Sequence, residues 1–360
     1  MKAVIFAGGA GTRLWPLSRK STPKQFDPMF EGKSTLQLAV ERIKPLVGWN
    51  DIYISTLDQY APIVRRQLPK ILDENFITEP ARRDVAPAIG LAMMRLRDVG
   101  SEPVAILWAD HLMERPDNFR QGLQVAESLI RENPSRFIFF AEKPRYAEQN
   151  LGWINIDKKI KCRSRINIYS FKGWQYRPPL AKCRRMFASG KWYWNPGYWL
   201  TTPNFVLAQF RDKKPAMYKK LSIIGKSLGT SREGTTLQKL YPTLEKVHFD
   251  NAILEKMRPE QAVVLLLNMG WSDPGTLYAI KEALQDKKLD NVMRGKVIPF
   301  KTKDSLIFND DPKKVVATVG LEGMIVVQTK DATLVVHKDN VPEVKKMVES
   351  LEDTEWQNIL

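Results

Sequence analysis

The chain has 360 residues, 43% of them hydrophobic and 27% charged, the profile of a soluble protein with room for a large catalytic domain and a smaller one. Its net charge of +16 attracts polyanions, but the Lys and Arg are spread along the whole chain, so nucleic acid is only a minor alternative and is not the expected partner. Cys162 and Cys183 lack metal-ligand or disulfide-framework spacing, and neither a secretory leader nor an apolar run of about 18 residues is found; a cytoplasmic protein with reduced thiols and no membrane contact is expected.

Lys2-Ala3-Val4-Ile5-Phe6-Ala7 reads as a short buried strand. The loop Gly8-Gly9-Ala10-Gly11-Thr12-Arg13-Leu14 follows at once. Such a loop exposes backbone N–H groups, and glycines let them approach an anion. Arg13, Arg19, Lys20 and Lys24 add fixed positive charge, so the stretch suits a polyphosphate. The Walker pattern fails because Gly11 is followed by Thr12-Arg13, and the dinucleotide pattern fails at Leu14. An ordinary Gly-rich turn with a solvated basic flank is the other reading of the glycines alone.

Gly8 through Arg19, followed by Pro23-Lys24-Gln25-Phe26, resembles the signature of sugar-1-phosphate nucleotidylyltransferases. Within them it most resembles the mannose-1-phosphate guanylyltransferases. The resemblance implies a Rossmann-like, GT-A-type α/β fold with a mostly parallel mixed sheet, plus a small β-rich C-terminal domain. It also implies that Ala7, Gly8, Gly9, Gly11 and Thr12 bind the nucleotide, with Arg13 and Lys24 catalytic.

Further along, Ser34 to Gln37 is a capping-box candidate, Asp51–Ser55 a strand and Tyr60–Leu72 a helix. The strand-helix alternation is that of a doubly wound sheet. Phe76–Pro80 ends a strand, and Arg82 to Ile89 resembles the family's base-pocket segment, with Asp84 and Val85 where Asn and Thr are usual. That likeness places Glu79, Arg83, Pro87 and Ala109 at the nucleotide. Glu79 can accept from the N1–H and N2–H₂ edge of guanine; a loop ion pair with Arg83 is the alternative.

The apolar strand from Pro103 ends at Asp110-His111. A carboxylate at the carboxyl end of such a strand can hold Mg²⁺ together with substrate phosphates. The family form has Pro where Trp108 stands. His111 is read as second shell or structural. Trp271-Ser272-Asp273-Pro274-Gly275 resembles the segment that carries the family's second metal carboxylate, so Asp110 and Asp273 are the expected metal ligands.

On the sugar-phosphate side the resemblance points to Gly152, to Asn195 within an aromatic strand, and to Arg177, ranked above Lys143. Asp250 is read as a helix cap with a second-shell role as the alternative. After about Lys288, short β-branched runs suggest a few β-helix-like rungs and then a helix from Val341 to Leu351. The expected domains are 1–288 and 289–360, and the phosphomannose isomerase domain fused to some relatives is expected to be absent.

The implied reaction joins GTP and mannose 1-phosphate, with a homo-oligomer such as a dimer possible. The competing readings are a sibling enzyme with another base or sugar, a non-catalytic sugar-nucleotide-binding regulatory subunit, and a nucleic-acid binder.

Overall fold

The computed structural model describes residues 1–9, 14–19, 22–30, 32–161 and 166–360. Strands in chain order are β1 (Lys2–Phe6), β2 (Ile52–Leu57), β3 (Phe76–Glu79), β4 (Val104–Trp108), β5 (Leu112–Met113), β6 (Phe137–Glu142), β7 (Gly152–Ile160), β8 (Asn167–Tyr176), β9 (Trp192–Asn195), β10 (Trp199–Thr201), β11 (Ala262–Leu267) and β12 (Trp271–Ser272). The later ones are β13 (Val292–Arg294), β14 (Val297–Phe300), β15 (Leu306–Asn309), β16 (Val316–Val319), β17 (Met324–Gln328) and β18 (Thr333–His337). The helices used below are α1 (Thr35–Ile43), α2 (Ala61–Gln67), α3 (Val85–Arg95), α4 (Pro116–Glu132), the short Phe249–Ala252 helix, and those at Leu277–Leu284 and Glu343–Ser350.

Two compact units emerge. The first comprises Met1–Gly8, Ala39–Ala109 and Met113–Trp271; the second comprises Gly9–Leu38, Asp110–Leu112 and Ser272–Leu360. This partition by contact differs from the linear segments 1–288 and 289–360, because Gly9–Leu38 groups with the C-terminal strands.

The first unit is built on a ten-stranded sheet in the order β11-β8-β7-β9-β6-β10-β4-β1-β2-β3. The β3-β2-β1-β4 end is parallel, with Phe6 opposite both Ser55 and Trp108, and Leu57 opposite Glu79. Antiparallel pairing enters at β10, which lies between β4 and β6. Every residue of β6 is buried, as a continuous apolar run predicts for a strand covered on both faces. Helix α4 turns Phe119, Leu123, Ala126 and Ile130 inward, one face at helical spacing.

Local signals explain the helix ends. Ser34 Oγ accepts from the Gln37 amide at 3.2 Å and Gln37 Oε1 from the Ser34 amide at 3.0 Å, the reciprocal cap read from the sequence. The helix expected over Tyr60–Leu72 stops at Gln67, because Leu68 precedes Pro69 and that position disfavours helical backbone. Asp84 caps α3 at φ 68°, its side chain accepting from the Val85 amide. With ψ −176° that backbone lies in a region that favours glycine, so the cap is held under local strain, and Asp, like the family's Asn, can serve as the capping acceptor. The expected Asp250 cap is corrected: His248 holds the cap position, and Asp250 lies buried in the first turn with Oδ2 2.5 Å from His248 Nδ1.

In the second unit β13, β15 and β17 pair in parallel, β14 pairs in parallel with β16, and β18 closes antiparallel on β17. These are the rungs expected of a β-helix-like segment, followed by the Glu343–Ser350 helix. Leu14, Trp15, Leu17, Met29 and Phe30 share a core with Leu277, Ile280, Leu306, Phe308, Ile325 and Val327. Trp15 Nε1 donates to the Ile359 carbonyl at 2.9 Å, and the Arg19 guanidinium donates to that carbonyl and, at 2.7 Å, to Asp331. Among the described residues no helix is long and apolar enough to cross a membrane.

The helix after Asp273 is tied down by a buried charge group. Lys281 and Lys338 both donate to Asp304, and Lys281 and Asp304 are each 1% exposed. Asp304→Asn is expected to leave the Lys281 ammonium buried without its counter-charge. Removing one partner of such a pair costs about 3 kcal/mol, to be read as a lowered denaturant midpoint; an unchanged midpoint would show that the pair adds nothing.

Candidate active site

In the first unit the parallel register brings the carboxyl ends of four strands level, where ligands bind in open α/β sheets. The Ala7 amide donates to the Ser55 carbonyl at 2.7 Å and Thr56 Oγ1 donates to the Ala7 carbonyl at 2.9 Å, which fixes the exit of β1. The Ala109 amide donates to the Phe6 carbonyl at 3.0 Å. Glu79 ends β3, and its Oε1 lies 3.8 Å from where a Cβ on Gly8 would stand. Ala7, Gly8, Glu79 and Ala109 thus gather at one rim, and Pro87 is buried in the first turn of α3.

Glu79 is 6% exposed. Its Oε2 accepts from the Tyr241 hydroxyl at 2.5 Å. Burial pushes its carboxyl up to about 7, against the opposing pull of the Tyr241 hydrogen bond. Among the described residues Glu79 and Arg83 form no ion pair, so the loop pairing weighed from the sequence is corrected; Tyr241 takes the place of that partner.

The second unit holds the acidic residues. Ligand atoms of Asp110, His111 and Asp273 all lie within 4.8 Å of one another. Lys24 Nζ stands 2.9 Å from Asp110 Oδ2 and 3.5 Å from Asp273 Oδ1. Lys24 itself is 8% exposed, at the start of the Lys24–Phe26 turn, and Gln25 Nε2 beside it donates to the Gly9 carbonyl at 3.0 Å. Burial alone would raise the Asp110 carboxyl; the Lys24 ammonium, His111 and a hydrogen bond from Lys24 outweigh it and hold the group well below the usual carboxylate range. An ammonium bridging two carboxylates marks a place built for positive charge. Two carboxylate oxygens are hard donors of the kind Mg²⁺ takes, so the residues fit that ion. Gly11, Thr12 and Arg13 lie outside the described residues.

Gly152, Arg177 and Asn195, expected from the sequence at the sugar phosphate, fall on or beside neighbouring strands of the first unit. Gly152 pairs with Asn195 across β7 and β9, and with Tyr176 across β7 and β8. The Arg177 amide donates to the Leu151 carbonyl at 3.1 Å, which places this residue beside Gly152. A Cβ on Gly152 would stand 2.8 Å from the Trp174 ring, so only glycine fits without displacement. Asn195 Oδ1 accepts from the Gly197 amide at 3.0 Å and from Trp199 Nε1 at 3.2 Å. Its amide nitrogen is therefore the end suited to a ligand. Lys143 is exposed beyond the end of β6, beside the buried Glu142, which accepts from the Met269 amide.

Trp108, where the family has Pro, has a structural explanation. Its Nε1 donates to the Gly197 carbonyl at 2.8 Å and pins the turn that follows Asn195. Gly197 has φ 82°, and a Cβ there would stand 2.3 Å from the indole nitrogen. Two further residues were not picked out as site residues from the sequence. His111 joins the acidic pair, a placement its adjacency to Asp110 could have suggested. Tyr241 reaches Glu79 from 162 positions away, and no local pattern announces that contact.

A family model described as nucleotidyl transferase matches residues 2–288, and one described as MannoseP isomerase/GMP-like beta-helix domain matches residues 295–351. The chain belongs to the nucleotidyl transferase family. A mannose-1-phosphate guanylyltransferase of Salmonella muenchen is 31% identical over 97% of this chain and 72% of its own length. One of Escherichia coli strain K12 is 31% identical over 97% of this chain and 73% of its own length. Among solved structures, a Thermus thermophilus protein described as mannose-1-phosphate geranyltransferase superposes with TM-score 0.86 at 28% identity, over 98% of this chain and 99% of the other.

Asp110→Asn and Asp273→Asn are each expected to weaken Mn²⁺ binding by at least about tenfold, the lower bound seen even for partners outside the ligand set. Isothermal titration reads this directly, and wild-type affinity in both variants would show that the pair holds no metal.

Proposed function

We propose that this chain is a mannose-1-phosphate guanylyltransferase. An oxygen of the mannose 1-phosphate anion attacks the α-phosphorus of GTP in line. The bond from that phosphorus to the bridging oxygen breaks, giving GDP-mannose and pyrophosphate. The attacking group is already an anion, so no protein nucleophile or general base is needed, and catalysis consists of positioning and charge neutralisation. The observation that carries the reading is the meeting of Asp110 and Asp273 with His111, their ligand atoms within 4.8 Å, in a chain whose relatives carry this name.

Asp110 and Asp273, with His111 beside them, would hold Mg²⁺, which supplies positive charge to the phosphate oxygens. Lys24 steadies both carboxylates and contributes the fixed charge for the α-phosphate. Arg13 balances the departing pyrophosphate. The loop from Ala7 through Gly8, Gly9, Gly11 and Thr12 offers backbone N–H groups to the nucleotide, with Arg83, Pro87 and Ala109 completing its surroundings. Glu79 reads the two donors of the guanine edge. Gly152, Arg177 and Asn195 bind the sugar phosphate. The modules 1–288 and 289–360, a cytoplasmic location and a homo-oligomeric state belong to the same proposal.

Pyrophosphate release, measured over a panel of nucleoside triphosphates and sugar 1-phosphates, tests the substrates: GTP with mannose 1-phosphate is expected to give the highest kcat/KM. A higher value for another pair makes the chain a sibling enzyme. Asp110→Ala and Arg13→Ala are each expected to lower kcat by about a hundredfold or more; turnover near wild type in either would refute its role.

Glu79 also fixes the sign of a pH effect. Its carboxyl is raised from 4.5 to about 7, so its neutral form is favoured in the fold. The stability contributed by that neutral form is fully present below about pH 4.5 and is lost as pH rises through about 7. Guanine recognition needs the ionised form, so kcat/KM for GTP is expected to rise over that upper limb. Glu79→Gln should flatten both dependences, checked by melting curves and initial rates across pH; a retained upper limb would assign it to another group.

A further inference from the structure

Tyr241 lies in a stretch with no recognised motif, yet its hydroxyl makes the closest polar contact of Glu79. The two side chains meet at 2.5 Å, Tyr241 is fully buried and Glu79 nearly so. The contact engages Oε2, while Oε1 faces the Gly8 position at 3.8 Å. One carboxylate oxygen is thus braced from behind and the other is turned toward the exit of β1.

The chemistry of the purines gives this brace a consequence. Guanine presents two donors, N1–H and N2–H₂, and an ionised carboxylate offers only acceptors. Adenine presents an acceptor at N1 and a donor at N6. A protonated carboxyl, with one donor and one acceptor, matches that edge instead. The ionisation state of Glu79 therefore decides which purine it favours.

We propose that Tyr241 is a specificity-determining positioning residue: by donating its hydroxyl to Oε2 of Glu79 it keeps that side chain an acceptor-only reader of the base, favouring guanine over adenine. The proposal rests on the reading of Glu79 as the base contact. Tyr241 acts through Glu79 and touches no substrate. Burial works against the ionised state of Glu79, and Asp58 adds to that opposition; the hydrogen bond from Tyr241, and after it one from Ser55, work for it. Arg83 acts on the Tyr241 hydroxyl in the opposite sense to Glu79. A hydrogen bond to the charged form is the part of this balance that one substitution removes cleanly.

The test is Tyr241→Phe in the full chain, which removes the hydroxyl and keeps the ring. Initial rates with GTP and with ATP are measured by pyrophosphate release between about pH 6 and 9, at saturating mannose 1-phosphate. At neutral pH the ratio of kcat/KM for GTP to that for ATP is expected to fall about tenfold or more, the worth of a hydrogen bond to a charged group. The loss should lie in the KM for nucleotide, with the KM for mannose 1-phosphate unchanged. The GTP limb should move to higher pH by about one unit, so that wild-type preference returns in alkaline buffer.

A merely structural role would lower the rates with both nucleotides in proportion and leave the pH limb in place; that result overturns the proposal. Glu79→Gln, run beside it, separates two failures. If the glutamine variant loses the GTP preference while Tyr241→Phe keeps both preference and pH limb, only the role of Tyr241 is wrong. If Glu79→Gln itself keeps the preference, the base assignment is wrong and this inference goes with it. If Tyr241→Phe does not fold, Ser55→Ala, which removes the other hydroxyl acting on Glu79, is read in its place: a GTP limb moved to higher pH supports control of Glu79 by its hydrogen bonds, and an unmoved limb overturns it.

Discussion

Two carboxylates from distant parts of the chain, Asp110 and Asp273, stand close enough to repel each other, and a single ammonium holds them together. Lys24 lies within 3.5 Å of both. The Lys24 ammonium and its hydrogen bond, with His111, hold the Asp110 carboxyl well below the usual carboxylate range despite its burial. The rest of the second unit serves this arrangement. The signature residues Leu14, Trp15 and Leu17 pack with Leu306, Phe308 and Ile325, so the loop that carries Lys24 shares its core with the C-terminal strands. Asp304 anchors the helix that follows Asp273. The C-terminal strands thus support the segment bearing the proposed catalytic lysine.

In the first unit a different constraint is at work. Parallel register sets Phe6, Ser55, Glu79 and Trp108 near one edge of the sheet. Four strand exits are thereby concentrated at one rim, where Gly8 follows β1. Burial at that rim pushes the Glu79 carboxyl up, against hydrogen bonds from Tyr241 and Ser55. A group held near neutrality is a liability for stability and an asset for discrimination, because small interactions then decide its state.

Much of this was legible in the sequence. The first strand, the reciprocal cap at Ser34, the continuous apolar run of β6 and the short rungs after Lys288 each follow from local pattern, since strand and cap formation depend on neighbours a few residues away. The carboxylates at the ends of apolar strands were legible for the same reason, helped by the resemblance of their flanking motifs. What escaped was the long-range pairing of polar groups. Tyr241 with Glu79 depends on how segments 162 positions apart pack, and a tyrosine in a helical stretch looks the same whether it meets solvent or a carboxylate. The α2 helix fell short because the restriction that Pro69 places on Leu68 outweighed the apolar spacing. Trp108 and Asp84 looked like losses of motif and are instead local solutions, one a brace on the Gly197 carbonyl and the other a cap at positive φ.

The most direct test of the central claim is a crystal of the full chain grown with Mn²⁺ and a non-hydrolysable GTP analogue, examined for anomalous scattering. A manganese peak between the Asp110 and Asp273 carboxylates, with the Lys24 ammonium displaced onto the α-phosphate, is the predicted result. A peak elsewhere, with Lys24 still bridging the two aspartates while the nucleotide is bound, would contradict the account.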